Sequence, residues 1–318
     1  MKAGGNSSFQ SNGKPWWRRL WIQRGLQAFV LVGIAYLLVF SVIPMVGLII
    51  AFKDYHIETG LLGMFTGKWV GFKYFIEFFH EYNFSQILRN TVVISLLKLV
   101  FGFPVPIILA IALNEVQSSK VKRVVQTASY LPYFISWVVV SGFCVIFLNT
   151  RNGAINNALV SLGILERPRN FLGGPDFFWP LAVITDIWKS MGWWAILFLA
   201  SISGIDPTLY EAAIVDGAGR WKRIWHITIP AILPIIAVML ILNIGGLFNG
   251  NFDQSFLLGN IGNRDTSDII GTYVFRVGLG EGRFDYATAV GMIQSLISVL
   301  LVFGSNRLSR KLTGSSLY

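Results

Sequence analysis

Long apolar runs separated by short polar stretches set the pattern of the chain. Crossing about 30 Å of hydrocarbon takes roughly 20 helical residues, and six segments are long enough, over residues 26–52, 87–113, 124–148, 177–203, 229–249 and 286–306. The pattern therefore predicts an all-α integral membrane protein with six spans and both termini on one side. Before the first run lies a Gly-, Ser- and Asn-rich stretch without periodicity, then Trp16, Trp17, Arg18, Arg19, Trp21 and Arg24, an interfacial mixture of aromatics and cations. That first run exceeds the 7–15 apolar residues of a signal peptide and reads as an uncleaved span. Three regions result: a tail over 1–25, a six-helix domain over 26–307 and a tail over 308–318. Pro44, Pro104, Pro106, Pro132 and Pro234 fall inside spans, where neighbouring helices can satisfy the freed backbone groups; kinks are expected there.

Composition agrees with a bilayer as solvent. Of 318 residues, 54% are hydrophobic and only 13% charged, with a net charge of +10, whereas soluble domains carry about 25% charged residues. The six-span layout puts 14 cations and four acids on the side of the termini and nine cations and eleven acids opposite. Cations concentrate in cytoplasmic loops, so both termini are expected in the cytoplasm and the basic excess reads as an orientation signal that contacts lipid headgroups. It is not a nucleic-acid surface. Four charges remain within spans. Arg89 is near an end and can snorkel, Lys98 suits packing between helices, and Asp186 and Lys189, three apart on one helix face, are expected to neutralise each other in part. Lining a path and structural pairing both remain open for these two.

Much chemistry is missing from the pattern. The phosphate-cradling loop G-x-x-x-x-G-K-[ST] does not occur, since Gly63 to Lys68 has the wrong glycine spacing, and Gly278, Gly280 and Gly282 lack the strand and helix of a dinucleotide site. Cys144 is the single cysteine and His56, His80 and His226 are scattered, so no disulfide framework or metal site is read. No nucleophile with a paired base stands out, which argues against a membrane-embedded enzyme.

The informative stretch begins at Asp206. Asp206 suits an N-cap, Pro207 the first helical position and Gly217 the left-handed residue just past a helix end, which predicts a short helix and a turn. A second short helix should follow, with Trp221, Ile224 and Trp225 on one face and Arg220, Lys222 and Arg223 between them, meeting the fifth span near Pro230. By physics alone this is an amphipathic connector at the membrane surface. Glu211-Ala212-Ala213, then Gly217, then Ile227-Thr228-Ile229-Pro230 resembles the E-A-A, G, I-x-L-P signature of permease subunits in binding-protein-dependent ABC importers, with Ile229 where Leu is usual. Gly102-Phe103-Pro104, Ala112 to Glu115, Tyr130-Leu131-Pro132, Ile187-Trp188-Lys189 and Asp285 to Ala289 resemble the polysaccharide-type permeases of carbohydrate importers.

That resemblance implies a type I importer permease fold with a coupling loop over 206–230, in which Glu211, Ala212, Ala213, Asp216, Gly217, Ile227 and Pro230 engage a partner ATPase. It implies as partners a second homologous permease, two ATP-binding subunits that carry ATP and Mg²⁺, and an extracellular binding protein, at the bacterial cytoplasmic membrane; this chain itself is expected to bind no cofactor and to catalyse nothing. Sugars have apolar ring faces and polar rims, so the candidates for a path are Tyr133, Trp137, Asp186, Trp188, Lys189, Trp193, Trp194, Asn243, Asn249, Asn251 and Gln254. Each also has a plain reading, as an interfacial aromatic or as interhelical glue. Lys189 is a candidate counter-charge for a uronate. A self-contained secondary transporter or channel is the alternative; it accounts for the spans and intramembrane charges but not for the coupling signature, and an internal repeat, common in such transporters, is not evident.

Overall fold

The computed structural model describes residues 24–248 and 251–313; the tail residues before Arg24 and the candidate Asn249 lie outside them. The chain divides into two compact units, up to Ile50 and from Ala51. The described residues of the first unit make up most of one helical run, α1 (Arg24–Phe52), which is α-helical to Leu37, passes through a π turn at Leu38–Val42 and ends in a 3₁₀ segment, Gly47–Phe52. It is apolar all round and its helix through Leu37 buries no residue, as a lipid-facing span does.

The second unit opens with a two-stranded antiparallel pair, β1 (Lys53–Asp54) against β2 (Lys68–Trp69), with α2 (Gly60–Thr66) between the strands and α3 (Lys73–His80) after them. The long helices follow: α4 (Phe84–Glu115), the pair α5 (Ser119–Phe134) and α6 (Trp137–Leu148), then α7 (Ala154–Ser161) and α8 (Pro175–Ser203). After α9 (Pro207–Val215) come α10 (Arg220–Gly246), the short α11 (Phe252–Leu258), α12 (Arg264–Ser267) and α13 (Ile270–Phe275), a π turn at Arg276–Gly280, and α14 (Phe284–Thr313).

Among the described residues five helices are long and apolar enough to cross a membrane, or six if the bent pair α5–α6 is one span. The expected third span is therefore not a straight helix. It breaks by 103° between Phe134 and Trp137, because Pro132 offers no N–H to the helix and Ser136 starts a new one by accepting from the Val139 N–H at 3.4 Å. The separate amphipathic helix expected before Pro230 is corrected too: residues 220–246 form one continuous run.

Prolines explain that continuity. Pro44, Pro104 and Pro230 each lie two residues beyond the end of a π turn, at Leu38–Val42, Lys98–Gly102 and Ile224–Thr228. A proline ring clashes with the carbonyl four residues back, here Phe40, Val100 and His226, each at the centre of its π turn. The wider turn makes room for the ring and lets the helix pass through, a local adjustment that spans tolerate.

α8 is the packing centre of the second unit, touching α4, α5 and α10. It crosses α5 closely at Gly192, where an added Cβ would lie 2.2 Å from the Ser129 carbonyl. Buried Ala110, Phe198, Ile202 and Ile232 join α4, α8 and α10, while Tyr74, Phe78, Ile87, Tyr273 and Tyr286 join α3, α4, α13 and α14. Charges respect the partition drawn from the sequence. Glu115 pairs with Arg220, Glu77 with Arg283 and Asp268 with Arg264 and Arg276, each within one side, and Lys98 with Asp186 within the spans.

Candidate functional site

The loop between α8 and α10 forms as its end signals require. Asp206 caps α9 by accepting from the Thr208 N–H at 2.9 Å, and that backbone hydrogen bond holds its carboxyl below the usual range. The other end closes with a Schellman pair, Ala218 N–H to Ala213 O at 2.8 Å and Gly217 N–H to Ile214 O at 3.0 Å. Gly217 sits at φ +76°, a conformation that strains residues with a Cβ. Glu211, Ala212 and Asp216 are exposed, Ala213 half-buried. Ile227 belongs to the π turn and Pro230 follows it. One side-chain contact ties α9 to a long helix and a second ties that helix to another: the Tyr210 and Thr228 hydroxyls meet at 2.9 Å, and Arg220, at the start of α10, lies 4.0 Å from Glu115 at the end of α4.

Between α4, α8 and α10 lies a cavity of about 310 Å³. Asp186, Ser190 and Trp194 line it from α8, Asn243 from α10, Ser95 and Lys98 from α4, and Asn251 from the turn before α11. Lys98 Nζ pairs with Asp186 Oδ1 at 3.0 Å across the helices. Asn251 donates to Ser95 Oγ at 3.1 Å, and Ser95 to the Leu247 carbonyl at 2.7 Å. Polar donors and acceptors thus face a partly aromatic space, the composition of small-molecule sites in helix bundles.

Lys189 makes no ion pair with Asp186 among the described residues, although the Asp186 charge still acts on it as expected from their spacing. Its ammonium donates to the Tyr133 and Ile135 carbonyls at 2.7 and 2.6 Å, the groups left without helical partners by the break between α5 and α6. Its charge also lies 5.3 and 5.7 Å from the Tyr133 and Trp137 rings, and Trp193 stacks on Tyr133 at 4.7 Å. Tyr133, Trp137, Lys189 and Trp193 therefore form a cluster that braces the break. Trp188 is exposed and outside both groups, while buried Gln254 donates to the Ala182 carbonyl and Thr185 hydroxyl. The cavity brings together Asp186, Trp194, Asn243 and Asn251 of the expected set and adds Ser95, Lys98 and Ser190. Ser95 and Lys98, polar positions three apart in an otherwise apolar run, were the available signal for the added pair on α4.

Residues 102–313 match the family described as binding-protein-dependent transport system inner membrane component. The chain belongs to that family. The permease is 42% identical over 306 residues to Protein LplB of Bacillus subtilis, across 96% of this chain and 95% of that one. It is 43% identical over 296 residues to the polygalacturonan/rhamnogalacturonan transport system permease protein YteP of the same organism, across 93% and 91%. Among solved structures, a chain of a bacterial alginate ABC transporter, crystallised in complex with an alginate pentasaccharide-bound periplasmic protein, superposes with a TM-score of 0.86 at 38% identity over 96% of this permease and all of that chain. The fold is thus that of a type I ABC importer permease. The family match begins at the end of the π turn in α4 and takes in the whole of α9, α10 and the wall of the cavity on α8.

Proposed function

We propose that this permease is the translocating subunit of an ATP-driven importer for acidic oligosaccharides, which an extracellular binding protein delivers to the cavity between α4, α8 and α10. One observation carries the reading: the exposed helix α9 is fastened at Tyr210 to Thr228 of α10, whose first residue Arg220 lies beside Glu115 of α4, and these two long helices wall a polar and aromatic cavity. On this reading α9 faces the cytoplasm and fits a groove of a partner ATPase, Ala212 permits close approach and Glu211 meets a cation there. ATP and Mg²⁺ stay on the partner subunits. Closure of the ATPases would push α9, and rigid-body levers of this kind are an established switching device. The cavity offers sugar hydroxyls the Lys98–Asp186 pair, Asn243 and Ser190, and a ring face at Trp194. Acidic sugars are favoured because polygalacturonan and alginate, named for the relatives above, are both polymers of uronic acids, and a second homologous permease would complete the path.

Proteoliposomes holding the complete importer test the proposal. ATP-driven uptake of trigalacturonate should require the loaded binding protein, and Glu211→Arg should abolish both uptake and the ATPase stimulation that the binding protein causes. Uptake driven by an ion gradient without ATP, or full uptake by Glu211→Arg, would overturn it.

A further inference from the structure

α11 separates two cavities. Asn251, at its start, lines the one already described; Ser255, one turn on, lines a second of about 400 Å³ bounded by α11, α12, α13 and the π turn at Arg276–Gly280. The walls of this second cavity are built rather than incidental. Asp268, 7% exposed, receives Arg276 in a forked pair at 3.2 and 2.7 Å, has Arg264 Nε at 3.8 Å and accepts from the Thr272 hydroxyl at 2.7 Å. Two guanidiniums against one carboxylate leave the wall net positive. Phe256 and Phe275, both exposed, stand edge to face with centroids 5.0 Å apart and offer apolar ring faces.

Ser255 supplies the observation that points to a ligand. It is 3% exposed, and its hydroxyl has no hydrogen-bond partner among the described residues. Buried polar groups are almost always satisfied, and one left unmade costs free energy, so a molecule that supplies the missing bond gains from doing so. Beside it, the side-chain oxygen of Gln254 is buried without a partner as well. The helix between the two cavities thus carries two unmade polar contacts in succession.

The geometry points to a second sugar subsite here, one that takes a uronate residue of an oligosaccharide before it reaches the first cavity. The planar guanidiniums of Arg264 and Arg276 suit its carboxylate, Phe256 and Phe275 suit the apolar face of its ring, and the Ser255 hydroxyl meets one of its hydroxyls. A neutral sugar leaves the excess positive charge unanswered, and a small inorganic anion leaves the ring faces empty. The assignment rests on the reading that this permease conducts oligosaccharides.

Equilibrium binding of trigalacturonate to the complete importer in nanodiscs, measured calorimetrically without ATP or binding protein, tests it. Arg264→Gln should weaken binding about tenfold, the loss of one charge-assisted hydrogen bond, and leave the binding of neutral maltotriose unchanged. Ser255→Ala should weaken trigalacturonate about fivefold without lowering the thermal unfolding temperature, since the hydroxyl it removes bonds nothing when the cavity is empty. Wild-type affinity in both variants, or no saturable binding to the wild type, would overturn the subsite. Proteoliposome uptake answers separately: importers that carry trigalacturonate while both variants bind it normally keep the function and lose the subsite, and binding that needs Arg264 and Ser255 in an importer that fails to carry the sugar keeps the subsite and loses the function.

Discussion

At the scale of single residues, the Lys98–Asp186 pair has two duties that a double substitution can separate. The ammonium side chain is 10% exposed and the carboxylate 28%, so removing either partner leaves a poorly hydrated charge, while removing both leaves two neutral groups of similar shape. Lys98→Gln and Asp186→Asn should each lower the stability of the permease by about 1–3 kcal/mol, read as a drop in thermal unfolding temperature in detergent. The double variant should regain most of that stability and still fail to take up trigalacturonate, because charge-assisted contacts to the sugar are gone. Should it regain uptake as well, the pair is structural and Asp186 leaves the path. Spacing in the sequence put Asp186 beside Lys189, since residues three apart share a helix face. It could not show that a break 54 residues upstream of Lys189 presents two carbonyls to that ammonium, nor that a lysine on another helix reaches the carboxylate first.

Among elements, legibility followed the strength of the end signals. Asp206, Pro207 and Gly217 marked α9 correctly at both ends because capping is local physics, and the apolar runs marked the long helices because hydrocarbon thickness demands a minimum length. Prolines were legible only in part. Whether a helix absorbs a proline with a π turn, as before Pro104 and Pro230, carries it in plain α-helix, as at Pro234, or breaks, as after Pro132, depends on what packs alongside. At the break the neighbour is α8, whose Gly192 allows the Ser129 and Tyr130 backbone to approach to a distance no Cβ tolerates. Gly192→Leu should therefore push α5 off α8 and destabilise the permease by about 1–3 kcal/mol, the usual cost of overpacking, in a urea or thermal unfolding series. The same substitution at Gly142, where an added Cβ meets nothing within 4 Å, should cost little, and equal losses at the two sites would mean that close approach is not what Gly192 provides.

For the whole molecule the question is how a push on α9 reaches a cavity walled by α4 and α10, and the two contacts on the way, α9 to α10 and α10 to α4, are unequal. Arg220 and Glu115 are 64% and 34% exposed and 4.0 Å apart, a pair of the kind that contributes little in water. The Tyr210 and Thr228 hydroxyls meet at 2.9 Å, and Thr228 is buried within the π turn that precedes Pro230. A π turn is a local widening of the helix, a natural place for α10 to yield when pulled, so force should enter there. Tyr210→Phe removes that hydrogen bond and no ring packing. One neutral hydrogen bond is worth about 0.5–1.5 kcal/mol, so ATP-driven uptake should fall about two- to tenfold, along with the ATPase stimulation caused by the loaded binding protein, while basal ATP hydrolysis stays as it was and the unfolding temperature falls by no more than a few degrees. Arg220→Gln, measured beside it, should change uptake by less than twofold. The reverse order, with Arg220→Gln the more damaging, would move the line of transmission from the π turn to the start of α10 and its link to α4.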